Sequence, residues 1–415
     1  MLTAFVVAAC ARTALPIFVS PKGNDSWPGT QAKPKATIQA AIEASRKIAH
    51  PTVLIETGTY ELASPIELSA EDVGLAIVAD VHGPVTVVGK KGITPDSLIH
   101  AVKAMNLTIS GLTLEGAGTN GAVVATNCVR FTASHLGISH ATGPGIVLTS
   151  CRQTTIDHCT VTDTGGSGIQ CDGPDANVID NLVRRVGQTS PNPAAIVCSG
   201  PGLTLTHNEA SSVFGPGIEI SGQGAMVSWN RFFKIPDKAA AIKVSGADGA
   251  FIKDNLVRDI KSAVDLEGAT GCTVEHNVFY NVPCPLSGHK AVRTAVRANL
   301  FDCRGDMLID FPECQDGRIN GNVFVATDSV RFRTPPGGIT DLAANMISNW
   351  EDPKVTVLTK DGEKPARILS SNSQNLFVEV HDAEIRSGVF VLRPAGIMSK
   401  YQLAPWTVTT AGARR

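Results

Sequence analysis

Residues 271–291 read GCTVEHNVFYNVPCPLSGHKA. Read in order they are a strand, a tight bend, a strand, a loop and a strand, in short apolar-alternating pieces with no helical run of period 3.6. Asn277 belongs to a pattern, apolar-x-x-Asn-x-apolar, that recurs with some looseness at its ends. The asparagines are Asn181, Asn208, Asn230, Asn255, Asn277, Asn299, Asn322 and Asn345, spaced 27, 22, 25, 22, 22, 23 and 23 residues apart. Upstream the frame continues with Cys159, Leu136 and Leu112 in the Asn slot. Such a period identifies a repeat protein. Leucine-rich repeats would need an LxxLxL frame, and helical repeats of this length would need i, i+3, i+4 stripes; both are missing. Three strands in ~23 residues predict an all-β fold, a single-stranded right-handed parallel β-helix whose coils stack ~4.8 Å apart. Eleven or more coils make a rod roughly 50 Å long.

The Asn column has a physical reason. At the bend between the second and third strands, an inward amide can bond its counterparts and the backbone one coil above and below, satisfying turn groups that are otherwise buried without partners. These asparagines are therefore assigned to structure. The residue before each slot (His135, His158, Asp180, His207, Trp229, Asp254, His276) forms a ridge of His and Asp that is a rival candidate for binding a metal.

A parallel rod has open ends, so caps are expected. The segment 36–49, ATIQAAIEASRKIA, reads as the N-terminal capping helix, with Thr37 as N-cap and Ile38, Ala41, Ile42 and Ile48 on one face. Residues 1–14 read as a possible truncated signal segment, with the small-x-small form Ala9-Cys10-Ala11 but no basic start. Residues 15–350 form the β-helix with its cap, and 351–415 a C-terminal β-rich cap segment around VTVLT, LFVEVH and GVFVLR.

Composition removes several function classes. Lys plus Arg is 36 against 38 for Asp plus Glu, a net charge of −2 that lacks the basic surplus nucleic-acid binding calls for. No apolar run reaches the ~18–20 residues of a membrane-spanning helix. Ten cysteines contain no CxxC pair and fit neither a zinc site nor a compact disulfide framework. Alternation places Cys171 and Cys198 in the core as stacked thiols, and leaves Cys128 and Cys151 as neighbouring thiols or a disulfide.

The stretch IFVSPKGNDSWPGTQAKPKATIQAAIEASRK followed by TVLIETGTYEL resembles the N-terminal signature of secreted right-handed β-helix proteins of the pectin-lyase-like superfamily. VFVLRPAGI is similar to their closing motif, with its usual Ser-Pro-Ala replaced. The resemblance covers essentially the whole chain and implies a secreted or periplasmic protein that processes polysaccharide. The acidic cluster Asp-Asp-Gly-Trp-Asp of one pectate-lyase branch is absent, so no catalytic residue is carried over.

Site candidates come from the frame instead. Length variation between repeats is confined to one corner (TDTGGS, RRVGQTSPNP, SSVFGP, FKIPDKA, RDIKS), which makes that corner a wall over the following sheet. Two outward columns are expected on that sheet. The first runs Val147, Gln170, Val197, Glu219, Lys243, Asp265, Ser287, Leu308, Arg331. The second runs Thr149, Asp172, Ser199, Ser221, Ser245, Glu267, His289, Asp310, Arg333. The catalytic candidates are Asp265, Glu267, Asp310, His289 and Lys243. Glu219, Gln170, Asp172, Arg331 and Arg333 on the same face are candidates for binding substrate, with Phe214 and Tyr280 as sugar-stacking residues. The bland alternative is a charge ladder on a solvated face.

Hydrolysis needs two carboxyl groups and no cofactor, which makes acid/base hydrolysis of a polysaccharide the preferred expectation. Elimination on a uronate-containing glycan is the alternative, with Lys243 as base and Ca²⁺ held by Glu219, Asp265 or Glu267. A third reading is a non-catalytic glycan-binding or structural rod. Oligosaccharide or polysaccharide is the expected partner.

Overall fold

The computed structural model describes residues 15–348 except 190–192, 327, 329, 336 and 337, and beyond them three short strands at Thr356–Thr359, Gly362–Pro365 and Leu376–Val378. The expected signal segment 1–14 and the GVFVLR strand lie outside the described residues. After a first strand at Ile17–Val19 and a helix at Ile38–Ser45, strand follows strand, collected into three sheets of fourteen strands each. The chain is an all-β solenoid of about twelve coils.

One coil shows the plan. Thr273–Glu275 lies in sheet I, a two-residue bend leads to Val278–Tyr280 in sheet II, a loop leads to Cys284–Ser287 in sheet III, and a turn returns to sheet I at Ala295–Arg297. Each strand pairs in parallel with its equivalents one coil before and after, as in Thr273↔Ala295 and Val278↔Leu300.

The asparagine column is a continuous hydrogen-bonded ladder. Asn255 is 1% exposed. Its Oδ1 accepts from both the backbone N–H and the Nδ2 of Asn230, at 2.9 and 3.0 Å. Its Nδ2 donates to the Val227 carbonyl and to Asn277 Oδ1, both at 2.9 Å. The same exchange runs from Cys159, whose N–H donates to Asn181 at 2.9 Å, through to Asn345.

The ridge residue just before each asparagine is left-handed, with φ of 53° at His135, 52° at His158, 55° at Asp180 and Asp254, 59° at His207 and Trp229, and 56° at His276. Short polar side chains and glycine tolerate that conformation best, which accounts for the His and Asp enrichment without a ligand. Stacking adds to it. The rings of His135 and His158 lie 4.9 Å apart with an interplanar angle of 2°. Among the described residues no three His, Cys, Asp or Glu side chains are arranged to hold a metal ion.

Inward positions fill the rod. Ile169, Ile196, Ile218, Ile220, Ile242, Val244, Val264 and Leu266 are all buried, and Phe279, Phe301 and Phe324 stack at 5.0 and 4.8 Å on successive coils of sheet II. Cys171 and Cys198 are in-register core neighbours, as the alternation implies. The nine described cysteines are free. In-register parallel strands hold Cβ atoms ~4.8 Å apart, outside the ~3.5–4.5 Å that a disulfide prefers. For Cys128 and Cys151 the open alternative resolves to neighbouring thiols, with the Cys128 N–H 3.3 Å from the Cys151 sulfur.

The capping helix is shorter than its expected span of 36–49. Thr37 accepts from the Ala40 N–H at 3.2 Å and so caps Ile38–Ser45, but Arg46 already turns its guanidinium to Asp72 at 2.9 Å and Ile48 lies past the end. Ile38, Ala41 and Ile42 are buried against the first core residues. At the other end Thr356–Thr359 continues sheet III and Leu376–Val378 continues sheet II, so these parts of 351–415 extend the rod. Gly362–Pro365 folds back antiparallel on Thr356–Thr359, which occupies the last edge of sheet III.

Candidate functional site

Sheet III presents the predicted face, and its centre is where ionisable side chains converge. Glu219, Lys243 and Asp265 are in-register neighbours on successive coils, and Ser245↔Glu267 is the pair beside them. Lys243 Nζ lies 3.3 Å from Glu219 Oε1 and 3.9 Å from Glu267 Oε2. Ser245 Oγ is 3.4 Å from Glu219 Oε1. Two carboxylates thus share one ammonium, which makes Lys243 their counter-ion.

Asp265 and Glu267 differ although they stand two residues apart on one strand. The Asp265 carboxyl is half-buried, and burial first, then the neighbouring Glu267 carboxylate, raise it above the usual carboxylate range. The Ser287 hydroxyl, Lys243 and His289 oppose that shift. Glu267 keeps a side-chain exposure of 60% beside the lysine. One carboxyl is held toward its protonated form and the other is open to solvent. That is the asymmetry an acid/base pair needs.

The register separates the remaining candidates. Ser287 pairs with Asp310, and Asp310 with Arg333, so Asp310 and Arg333 belong to the first column and not to the second. Leu308 and Arg331 sit two residues upstream of it. The frame slips by two residues here. A slip of one would have turned core residues outward; a slip of two leaves the alternation intact and is invisible to it. Asp310 accordingly lies two coils from Asp265, roughly 10 Å along the rod, and accepts both fork nitrogens of Arg333. That bidentate pair occupies Asp310 and Arg333 with each other.

His289 falls beyond the strand Cys284–Ser287 as an exposed turn residue. Arg331 faces Asp306 at 3.6 Å. Gln170 lies in the first column three coils before Lys243, and Asp172 beside it accepts from Ser199 Oγ at 2.9 Å. Phe214 is 53% exposed in its loop. Tyr280 stands on sheet II, with the Arg304 guanidinium 5.8 Å from its ring centre and bonded to its hydroxyl at 2.9 Å.

Two features escaped the sequence frame. At the N-terminal end of the first column His100 Nδ1 contacts Glu67 Oε2 at 2.9 Å, in strands that precede the first repeat signature. Asp302, on sheet II, is 1% exposed with neither carboxylate oxygen hydrogen-bonded, and burial pushes its pKa up to about 6. An apolar-x-Asp alternation places that side chain outward and gives no sign of cover.

Comparisons with known proteins agree with this architecture. Residues 94–233 match the family described as right handed beta helix region. A search of curated proteins returns no match by sequence. Among solved structures, the A-module of the mannuronan C-5 epimerase AlgE4 from Azotobacter vinelandii superposes with a TM-score of 0.55 at 13% identity, covering 75% of this chain and 95% of that one. A structure described as a glycoside hydrolase gives 0.54 at 11% identity, covering 76% and 97%. XylC in complex with xylose gives 0.59 at 10% identity, covering 89% and 86%. At such identities the likeness is one of fold. Residues 94–233 thus form a right-handed β-helix domain by family match, and the same three-strand coil continues on both sides of them.

Proposed function

We propose that the protein is an exported carbohydrate-active β-helix enzyme that hydrolyses a glycosidic bond of a polysaccharide lying over sheet III. The observation that carries this reading is the divided carboxyl pair: Asp265, half-buried with its pKa raised, two residues from the solvent-open Glu267. Asp265 serves as general acid, giving its proton to the leaving oxygen. Glu267 serves as general base, taking a proton from the attacking water. Residues i and i+2 on one strand face have Cα atoms roughly 7 Å apart. The separation of the two carboxyl groups, ~5–5.5 Å for retention or ~6.5–9.5 Å for inversion, sets the stereochemical outcome. The likeness to a glycoside hydrolase and to a xylose-binding protein supports a sugar substrate. Elimination is less well supported, because Lys243 is occupied by Glu219 and Glu267.

The test is a polysaccharide panel read in parallel for reducing ends and for ultraviolet absorbance, with and without Ca²⁺. Reducing ends without absorbance, with turnover down at least ~100-fold in both Asp265→Asn and Glu267→Gln, are expected for a general-acid/base pair. Activity should fall as pH rises through the Asp265 pKa, since the acid must be protonated. Turnover untouched in both variants would refute the assignment. Absorbance that disappears in Lys243→Ala would transfer it to elimination.

A further inference from the structure

We propose that Glu219 is a positioning residue of the sheet III site: by holding the Lys243 ammonium it keeps that charge off Asp265 and so preserves Asp265 as a proton donor. The inference rests on the hydrolytic reading of the Asp265–Glu267 pair and assigns the control of its charge. The register offers Lys243 a choice. Glu219↔Lys243 and Lys243↔Asp265 are register partners, so the two carboxylates flank the lysine at the same backbone spacing, ~4.8 Å, one on the coil before and one on the coil after. On spacing alone both would pair with it. Only one does. Lys243 Nζ lies 3.3 Å from Glu219 Oε1, and its second carboxylate is Glu267 at 3.9 Å; among the described residues no ion pair joins it to Asp265.

Side-chain length and partners decide the choice. Glutamate reaches across the coil step. The aspartate is one methylene shorter, half-buried, and hydrogen-bonded to the Ser287 hydroxyl on the coil after it. Ser245 Oγ, from the lysine's own strand, approaches the same Glu219 oxygen at 3.4 Å.

Asp265 donates a proton only while it holds one, and its neighbours are divided on that point. Burial and then Glu267 raise its pKa, while Ser287, Lys243 and His289 lower it, the lysine acting more strongly than the histidine. The other ionisable groups nearby are committed. Asp310, two coils on, is taken up by Arg333. The Cys284 thiol is pushed up to about 11 by burial, Asp310 and Asp265, and stays neutral. Lys261 is exposed just outside the strand Ser262–Glu267. Lys243 is thus the movable charge, and Glu219 decides whether it leans away from Asp265 or toward it. An opposite charge brought within ~4–6 Å of a carboxyl lowers its pKa by about 1–3.

The two partners of this ion pair should therefore act on Asp265 with opposite sign, which a merely structural pair would not do. The experiment follows the Asp265 carboxyl by ¹³C resonance in the full chain labelled at aspartate, its signal assigned as the one missing from Asp265→Asn. Glu219→Gln frees the ammonium, and Asp265 should lose its proton at a pH lower by about 1. Lys243→Met removes the cation and should move the titration to higher pH. With Lys243→Met already in place, Glu219→Gln should change little, because Glu219 stands two coils from Asp265, roughly 10 Å along the rod, and acts through the lysine. Where a glycan is cleaved, the alkaline limb of kcat should move with the same signs, leaving Glu219→Gln about tenfold slower above the wild-type limb. Melting curves identify any variant that fails to fold. Shifts of the same sign in both single variants, an Asp265 titration unmoved by Glu219→Gln, or a full Glu219→Gln shift that persists without Lys243 would overturn the proposal. The titration needs no substrate, so a chain that cleaves no glycan refutes the hydrolytic reading while the resonance still decides whether Glu219 controls the charge at Asp265.

Discussion

Asp302 carries a folding cost that no other residue on sheet II offsets: its oxygens are buried, unbonded, and opposed only by the charge of Arg304, with Asp259 adding to the penalty. The sign of its pH dependence follows. The folded carboxyl, at about 6 against 3.8 for the ordinary group, binds its proton more tightly than the unfolded one. The folded state is therefore favoured most below about pH 4, and this contribution is lost as pH rises toward about 6 and stays lost above it. Two pH units correspond to about 3 kcal/mol. Asp302→Asn is expected to be more stable than wild type at pH 7 by up to that amount and indistinguishable from it near pH 4, in paired urea melts. Equal differences at both pH values would show that the carboxyl is solvated or partnered in solution. Legibility at this scale was divided. Asp265, Glu267 and Lys243 could be read from alternation and repeat length because they share one uninterrupted register. Asp310 could not, because a two-residue slip keeps the same face. Asp302 could not, because cover over an outward position comes from tertiary packing that a strand pattern does not encode.

The bend is the element on which the fold turns, and it makes two demands of unlike kind. The asparagine must bridge coils, and the residue before it must adopt a left-handed backbone. The repeat made the first demand legible and led to the ladder directly. The second was read as a possible ligand ridge, since His and Asp suit both a left-handed backbone and a metal; only the dihedral angles separate the two. Ala298 exposes the distinction, for it holds φ of 58° with no polar side chain to compensate. A left-handed alanine costs about 1 kcal/mol. Ala298→Gly is expected to raise stability by roughly 0.5–1 kcal/mol, the lower figure reflecting the greater chain entropy of unfolded glycine. Asn255→Ala should do the reverse. It strips acceptors from two donors of Asn230 and leaves them buried, at about 1–3 kcal/mol apiece. Denaturation midpoints of the two variants measured side by side decide the matter: a destabilised Ala298→Gly would mean that the bend is not strained.

At the scale of the molecule the rod is a one-dimensional stack in which each coil touches only its neighbours, closed at one end by Ile38–Ser45 and paired off at the other by Gly362–Pro365. The stability of such a stack is close to a sum over coils and the interfaces between them. A whole coil should then be removable, provided the cut joins equivalent positions. Deleting residues 137–159 joins Leu136 to Thr160, and because Gly137 and Thr160 are register partners, sheet II resumes without a change of face. The segment lies well to the N-terminal side of Glu219, so the carboxylate cluster and both caps are untouched. The shortened chain is expected to fold with the same β-sheet spectrum and a lower denaturation midpoint. By scattering it should be shorter by about one coil rise, ~4.8 Å. Whatever turnover the full chain shows should persist in it. Deleting only 137–148 removes half a coil, sets a sheet II junction against a sheet III strand, and should abolish cooperative folding. If the two deletions behaved alike, either both folded or both unfolded, coil-by-coil additivity would be the wrong description of this rod, because the larger deletion keeps the ladder of equivalent positions and the smaller one breaks it.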